Sequence, residues 1–365
     1  MKKKIVFVIT GLGLGGAEKQ LCLLADEMTL RGHDVLVILL NGEVIVTPKN
    51  KNIKIVNLNM SKNFLGLLSA IFKLSKIINN FNPEVVHAHM FHANVITRLA
   101  KLITLKKIKL VCTAHSKNEG GLARMLAYRF TDFLCDITTN VSHEALEAFV
   151  EQKAFKKSKS ITVYNGIDTQ YFNYNAKARD SIRNKLKIED STLLILAVGR
   201  LTEAKDYPNL LNALKILPEK YQLAIIGEGV ERHNIERLII DLQLEKKVKL
   251  LGSIMDVVDY YSACDIYVSS SRWEGFGLVV AEAMSCQRLV AATDAGGVAE
   301  VVGDSTFIVQ TSDSKMLADK IIDIMSYNET LRRDIMLRNR KHIIDAFSID
   351  SIVDKWFEVY SFNQV

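Results

Sequence analysis

Short runs rich in Val, Ile and Leu alternate along the chain with stretches whose apolar residues recur at helical spacing. In the first half, residues 5–10, 35–40, 53–58, 85–88, 110–114 and 137–139 have the continuous apolar character of buried strands. Between them, residues 17–31, 64–80, 91–105, 121–131 and 142–150 have the period of helices. Strands alternating with helices predict an α/β fold built on a parallel, doubly wound sheet. Tyr164-Asn165-Gly166-Ile167-Asp168 then reads as a turn, and about ten irregular polar residues follow. A second series of strands opens at Leu193, with runs at 193–198, 222–226, 248–251, 263–269 and 289–292. Two domains are expected, 1–165 and 176–347, with a boundary near 165–176 and a last helix within 348–365.

The most informative stretch is Ser271-Arg272-Trp273-Glu274-Gly275-Phe276-Gly277-Leu278-Val279-Val280-Ala281-Glu282. Glu274 falls in a strand-to-helix loop. Glu282 falls about five residues into the helix, roughly 7 to 8 Å along its axis. Between them lies a helix N-terminus, whose N–H groups and dipole suit a phosphate. A carboxylate on each side suits a diphosphate carrying hydroxyl-rich groups at both ends, as a sugar nucleotide does. Glu282 sits among Val280, Ala281, Ala283 and Met284, so a buried carboxylate with partners is expected.

In such sheets ligands bind beyond the C-terminal ends of strands. Arg200 and Lys205 follow the 193–198 strand, and two cations beside a helix start suit a diphosphate. Gly11, Gly13 and Gly16 satisfy GxGxxG after the first strand, with Gly15 among them. The second strand ends in Leu39-Leu40-Asn41, without the acidic residue of a dinucleotide fingerprint, and no Gly-Lys-Ser/Thr of a P-loop follows. His115 ends a strand and opens a polar loop, where a histidine can meet a ligand. His87, His89 and His92 have no acidic or sulfur companion, so no metal site is expected there.

Charge adds one feature. Residues 1–165 carry 23 Lys and Arg against 12 Asp and Glu, a net of +11, while the remainder carries 24 against 29. The first half is therefore expected to meet something anionic. No nucleic-acid motif accompanies the charge, so an anionic membrane surface is the expected partner and nucleic acid is not. Residues 61–80 form a basic amphipathic stretch, with Leu67, Leu68, Ile71, Leu74 and Ile78 on one face, Phe64 and Phe72 beside it, and Lys62, Lys73 and Lys76 as cations. Core packing explains most of that face, and interfacial contact is the sharper reading. No run of about 18 apolar residues predicts a transmembrane helix. Lys2-Lys3-Lys4 and the apolar run after it read as a first strand rather than a signal peptide. The five cysteines are scattered through apolar segments, as in a reducing compartment.

Taken together, these motifs resemble the retaining glycosyltransferases of family 4, whose GT-B architecture sets two Rossmann-like domains facing each other with a C-terminal crossover helix. The resemblance spans nearly the whole chain. It is carried by GLGLGGAEK at 11–19, VVHAH at 85–89, TAH at 113–115, YNGID at 164–168, GRLTEAKD at 199–206, IIGEGVER at 225–232, EGFGLVVAE at 274–282 and DAGGVAEVV at 294–302. It implies that Arg200 and Lys205 neutralise the donor diphosphate and that Glu282 holds the ribose. It further implies that Glu274 meets the donor sugar, that Phe276, Gly277 and Leu278 offer backbone N–H groups, and that Gly15 and Gly16 close on the diphosphate. His115 matches the active-site histidine. Trp356 and Tyr360 belong to the crossover contact. Val298 departs from the family, where Pro is frequent.

The activity so implied is transfer of a hexosyl or N-acetylhexosaminyl unit from a nucleotide sugar, expected to be a UDP-sugar, to a lipid-linked glycan, with retention. The setting would be O-antigen or capsule-like surface polysaccharide biosynthesis, in the cytoplasm at the inner face of the cell membrane, with neither metal nor other cofactor. The alternatives are a nucleotide-sugar 2-epimerase of the same architecture and a non-catalytic membrane or nucleic-acid binder. The glutamate pair with Gly-Phe-Gly between its members speaks against the epimerase.

Overall fold

The computed structural model describes residues 2–117 and 119–361. It divides into two compact units, Met1–Gly166 with Ile349–Val365, and Ile167–Ser348. The stretch 167–175, outside both expected domains, thus falls in the second unit.

The first unit runs β1 (Lys4–Ile9), α1 (Gly16–Leu30), β2 (Asp34–Leu39), β3 (Lys54–Asn57), α2 (Phe64–Phe81), β4 (Val85–His89), α3 (Phe91–Lys101), β5 (Lys109–Ala114), α4 (Leu122–Thr131), β6 (Ile137–Asn140), α5 (His143–Glu151) and β7 (Ser160–Thr162). Its seven strands are ordered β3-β2-β1-β4-β5-β6-β7, with parallel pairing throughout. Because side chains alternate across a strand, β1 serves two cores. Ile5, Phe7 and Ile9 join the apolar cluster on one face, and Val6 and Val8 join the cluster on the other.

The second unit runs α6 (Ala176–Leu186), β8 (Leu193–Val198), α7 (Tyr207–Ile216), β9 (Tyr221–Ile226), α8 (Arg232–Asp241), β10 (Val248–Leu250), α9 (Val258–Ala263), β11 (Ile266–Ser269), α10 (Leu278–Ser285), β12 (Leu289–Thr293), α11 (Val298–Val302), β13 (Ile308–Val309), α12 (Ser314–Ser326) and α13 (Glu329–Phe347). Its sheet order is β10-β9-β8-β11-β12-β13, again parallel. The strand expected from 263 begins only at Ile266, because Val258–Ala263 forms α9.

The last helix, α14 (Ile349–Ser361), packs with the first unit, and Phe362 of the expected helix lies outside the described residues. Ile352, Val353, Trp356 and Tyr360 are buried in the same cluster as Ile5 and Phe7. Arg31, at the C-terminal end of α1, pairs with Asp350 and Asp354 on α14. Gln20 exchanges two buried hydrogen bonds with the Gly166 backbone, donating to its carbonyl at 2.7 Å and accepting from its N–H at 2.8 Å.

The amphipathic reading of residues 61–80 needs correcting. Asn63 caps α2 by accepting from the Gly66 N–H, and Asn82, at φ +53, ends the helix just before Pro83. Ile71, Leu74 and Ile78 enter the core, and Leu67 is only partly buried against it. Leu68, expected on that face, is exposed. So are Phe64 (71%), Leu65 (75%) and Phe72 (63%). The helix is apolar around more than half its circumference. Contrary to the expectation of no candidate span, α2 is the one helix among the described residues long and apolar enough to cross a membrane by length and composition. Its inward residues nevertheless form part of this unit's core.

Candidate active site

In an open parallel sheet, ligands collect where the strand order reverses. In the second unit that point lies between β8 and β11. Arg200 and Lys205 follow β8, while Glu274, Phe276, Gly277, Leu278 and Glu282 follow β11 or lie on α10. The two loops are laced together. The Arg272 N–H donates to the Ala204 carbonyl at 2.8 Å, and the Ser270 hydroxyl to the Lys205 carbonyl at 2.9 Å. The Arg272 guanidinium reaches Asp206, which is 2% exposed, at 2.9 Å.

Lys205 and Glu274, expected to serve phosphate and sugar separately, form an ion pair with each other, and Ser271 also donates to Glu274 at 3.2 Å. Arg200 is exposed, and its side chain makes no hydrogen bond or ion pair among the described residues. The Phe276 ring is buried and meets Phe347 edge-on, so this residue can offer a ligand only its backbone.

Gly277 precedes α10 at φ +95, a left-handed value that favours glycine, and no side chain caps the helix. A Cβ there would come within 3.0 Å of Val298 Cγ2. Val298, the departure from the family pattern, is thus a buried contact beneath this turn. Gly296, at φ +63, is tighter still, because a Cβ would lie 2.2 Å from the Glu274 carbonyl oxygen. The Asp294–Gly297 turn therefore supports the Glu274 backbone. On α10, Glu282 is 8% exposed and accepts from the buried Tyr261 hydroxyl at 2.7 Å. Burial holds that hydroxyl well above its ordinary pKa, and Glu282 adds to the shift, so Tyr261 remains a donor.

In the first unit the order reverses between β1 and β4, and β5 lies next to β4. Gly15 and Gly16 follow β1, His89 ends β4 and His115 follows β5, so the four residues sit at neighbouring strand ends. A Cβ on Gly15 would lie 2.3 Å from Glu18 Oε2, so a carboxylate already rests at the N-terminus of α1, where the diphosphate contact is expected.

The His115 backbone N–H donates to the Glu119 carboxylate at 3.0 Å, and the ring Nε2 of His115 lies 3.0 Å from His89 Nδ1. Burial lowers the His115 pKa to about 4 and raises that of the Glu119 carboxyl, which accepts from Tyr128. His87 is fully buried. Its Nδ1 meets the Tyr360 hydroxyl at 2.8 Å and its Nε2 meets Thr113 Oγ1 at 2.6 Å. Its ring lies 4.4 Å from that of Trp356. The two aromatic residues expected in the crossover contact thus close over a histidine of the sheet. His92 is exposed on α3. Among the described residues, no group of three His, Cys, Asp or Glu is placed to hold a metal ion.

Sequence reasoning missed Tyr261, Asp206, Arg272 and the His89–His115 contact. Only the need of a buried carboxylate for a partner hinted at Tyr261.

A family model described as Glycosyltransferase Family 4 matches residues 14–171, and one described as Glycosyl transferases group 1 matches 178–342. The chain is 27% identical to the N-acetyl-alpha-D-glucosaminyl L-malate synthase of Bacillus anthracis, covering 80% of this chain and 78% of that one. It is 29% identical to the N-acetylgalactosamine-N,N'-diacetylbacillosaminyl-diphospho-undecaprenol 4-alpha-N-acetylgalactosaminyltransferase of Campylobacter jejuni, covering 84% and 85%. Among solved structures, Anabaena HepE in complex with UDP and glucose superposes with a TM-score of 0.85 at 22% identity, covering 98% of this chain and 99% of that one. With the two parallel sheets and the returning helix, these matches identify the chain as a member of the family 4 glycosyltransferases, an enzyme of the GT-B fold.

Proposed function

We propose that this glycosyltransferase moves a hexosyl or N-acetylhexosaminyl unit from a UDP-sugar to a lipid-linked glycan, with retention, in surface polysaccharide biosynthesis. The observation that carries the reading is the meeting of Arg200, Lys205, Glu274 and Glu282 at the β8–β11 reversal. In this reading Arg200 and Lys205 offset the charge that grows on the leaving diphosphate. Glu282, oriented by Tyr261, accepts from the ribose hydroxyls. Glu274 accepts from the donor sugar and exchanges Lys205 for it when the lysine turns to phosphate. Backbone N–H groups at Phe276, Gly277 and Leu278 face the phosphate and sugar. The leaving phosphate, on the same face as the incoming hydroxyl, takes its proton, and Glu274 is not a nucleophile. No step needs a metal.

UDP is the nucleotide favoured by the HepE complex, and a diphospho-undecaprenol acceptor by the Campylobacter relative. The Bacillus relative names L-malate, so a small hydroxy acid is the control acceptor. The exposed stripe Phe64, Leu65, Leu68 and Phe72 of α2, flanked by the exposed Lys62, Lys73 and Lys76, supports a peripheral seat on the anionic inner face of the cell membrane.

The test is transfer from UDP-sugars to a panel of polyprenyl-diphosphate glycans, with the anomeric configuration of the product read by NMR. An α-linked product from an α-configured donor is expected. An inverted linkage overturns retention. Conversion of the nucleotide sugar without acceptor would instead mark an epimerase.

A further inference from the structure

His115 owes its surroundings to a second histidine that the donor-site reading leaves without a task. His89 is 1% exposed at the end of β4. Its Nδ1 lies 3.0 Å from His115 Nε2, with ring centroids 5.2 Å apart. Its other nitrogen, Nε2, is buried with no hydrogen-bond partner. The His89 ring packs against the rings of His87 at 4.0 Å and Phe7 at 5.8 Å.

One nitrogen of the 3.0 Å pair must donate and the other accept. A neutral imidazole carries a single N–H, so the direction of this bond decides where both rings hold their hydrogens. If His115 donated, His89 would carry its hydrogen on Nε2, leaving a buried N–H with nothing to receive it. Orphaned buried donors are rarer in folded proteins than under-satisfied acceptors. If His89 donates from Nδ1, its Nε2 is a bare lone pair and His89 strands no buried N–H. His115 Nε2 is then an acceptor, and the His115 hydrogen must sit on Nδ1, for which the described residues supply no partner.

We infer that His89 is a positioning residue that locks His115 as the Nδ1–H tautomer, so that His115 presents a neutral hydrogen-bond donor rather than a base. The inference rests on the reading of His115 as an active-site residue. The chemistry it fits is a donor to an oxygen of the sugar or acceptor. Removal of a proton by His115 is incompatible with it, because the nitrogen turned away from His89 already holds one. Burial supports the neutral state, since it keeps both imidazoles below their ordinary pKa.

The experiment is a long-range ¹H–¹⁵N spectrum of the full chain labelled at histidine nitrogen, with the His115 signals assigned by their loss in His115→Gln. A pyrrole-like Nδ1 and a pyridine-like Nε2 at His115 are expected. The reverse pattern overturns the inference whatever the activity. His89→Asn places an amide N–H where Nδ1 was and should keep that pattern. His89→Leu, of similar size, should shift His115 toward Nε2–H and lower kcat at least about 10-fold with the donor KM unchanged. Asparagine restoring kcat separates donation from packing. If the leucine variant fails to fold, the native and asparagine spectra still decide. Unaltered transfer in His115→Ala would instead overturn the active-site reading of His115 itself, leaving the tautomer to stand or fall on the spectrum.

Discussion

The Tyr261 hydroxyl donates to Glu282 across 2.7 Å, from a side chain with no exposure to a carboxylate that is 8% exposed. A buried carboxylate that loses a donor keeps its desolvation cost. Tyr261→Phe should therefore lower stability by about 1–3 kcal/mol, read from the urea midpoint. It should also weaken UDP binding, because the carboxylate proposed to hold the ribose loses its orientation. A phenylalanine variant of unchanged stability and affinity would remove Tyr261 from the site.

The Lys205–Glu274 pair makes a second expectation. Lys205→Met removes the proposed phosphate partner and leaves Glu274 with Ser271 as its neighbour. Charge-assisted hydrogen bonds contribute about 1.5–3 kcal/mol each, so the Kd for a UDP-sugar should rise roughly 10- to 100-fold by calorimetry. Glu274→Gln should spare UDP itself and weaken only the sugar-bearing donor. Equal losses for both ligands would contradict the assignment.

Gly296→Ala adds a methyl where φ is +63 and the Glu274 carbonyl oxygen would lie 2.2 Å away. The strain alone costs on the order of 1 kcal/mol or more, and the clash adds to it. A lowered urea midpoint with a larger loss of kcat than of UDP affinity is expected, because the turn supports Glu274 rather than Glu282.

Acid should weaken the first unit through its buried histidines. His115 titrates at about 4 when folded and near its ordinary 6.5 when unfolded, and burial drives His87 and His89 in the same direction. Between those values the unfolded chain binds more protons, so stability falls as pH drops from about 6.5 toward 4. The urea midpoint should decline across that window, and less steeply in His115→Gln. No limb of the transfer pH profile between about pH 5 and 8 should trace to His115.

On α2, Phe64→Ser with Phe72→Ser should lower binding to anionic vesicles at unchanged thermal stability, since both rings lie outside the core. Replacing Lys62, Lys73 and Lys76 by Gln should cost about 1 kcal/mol per charge at low salt and flatten the salt dependence. Equal retention on neutral and anionic vesicles would contradict the basic stripe.

Much of this was legible along the chain, for physical reasons. Central strands such as β1 and β8 are buried on both faces and so appear as unbroken apolar runs. β7 and β13, at the sheet edges with three and two residues, are too short to show. The Glu274–Glu282 element was readable because its residues are close in sequence. The lacing of Arg272 to Asp206 spans 66 positions and Tyr261 to Glu282 spans 21, so periodicity carries no trace of either. On α2 the apolar arc was visible, but which part of it faces the sheet was not. The exposed Phe64 and Phe72 lie beside the arc that packs inward. At 87–92, spacing showed three histidines near a strand end, but not that His89 would touch His115.

The donor site stands or falls on nucleotide binding. Thermal stabilisation of the purified protein against UDP-, GDP-, ADP- and TDP-sugars reads it directly, because a ligand of the native state raises Tm by mass action. A rise with UDP-sugars that is lost in Glu282→Ala is the expected result. No shift with any nucleotide, or a shift that survives loss of Glu282, would contradict the site built at the β8–β11 reversal.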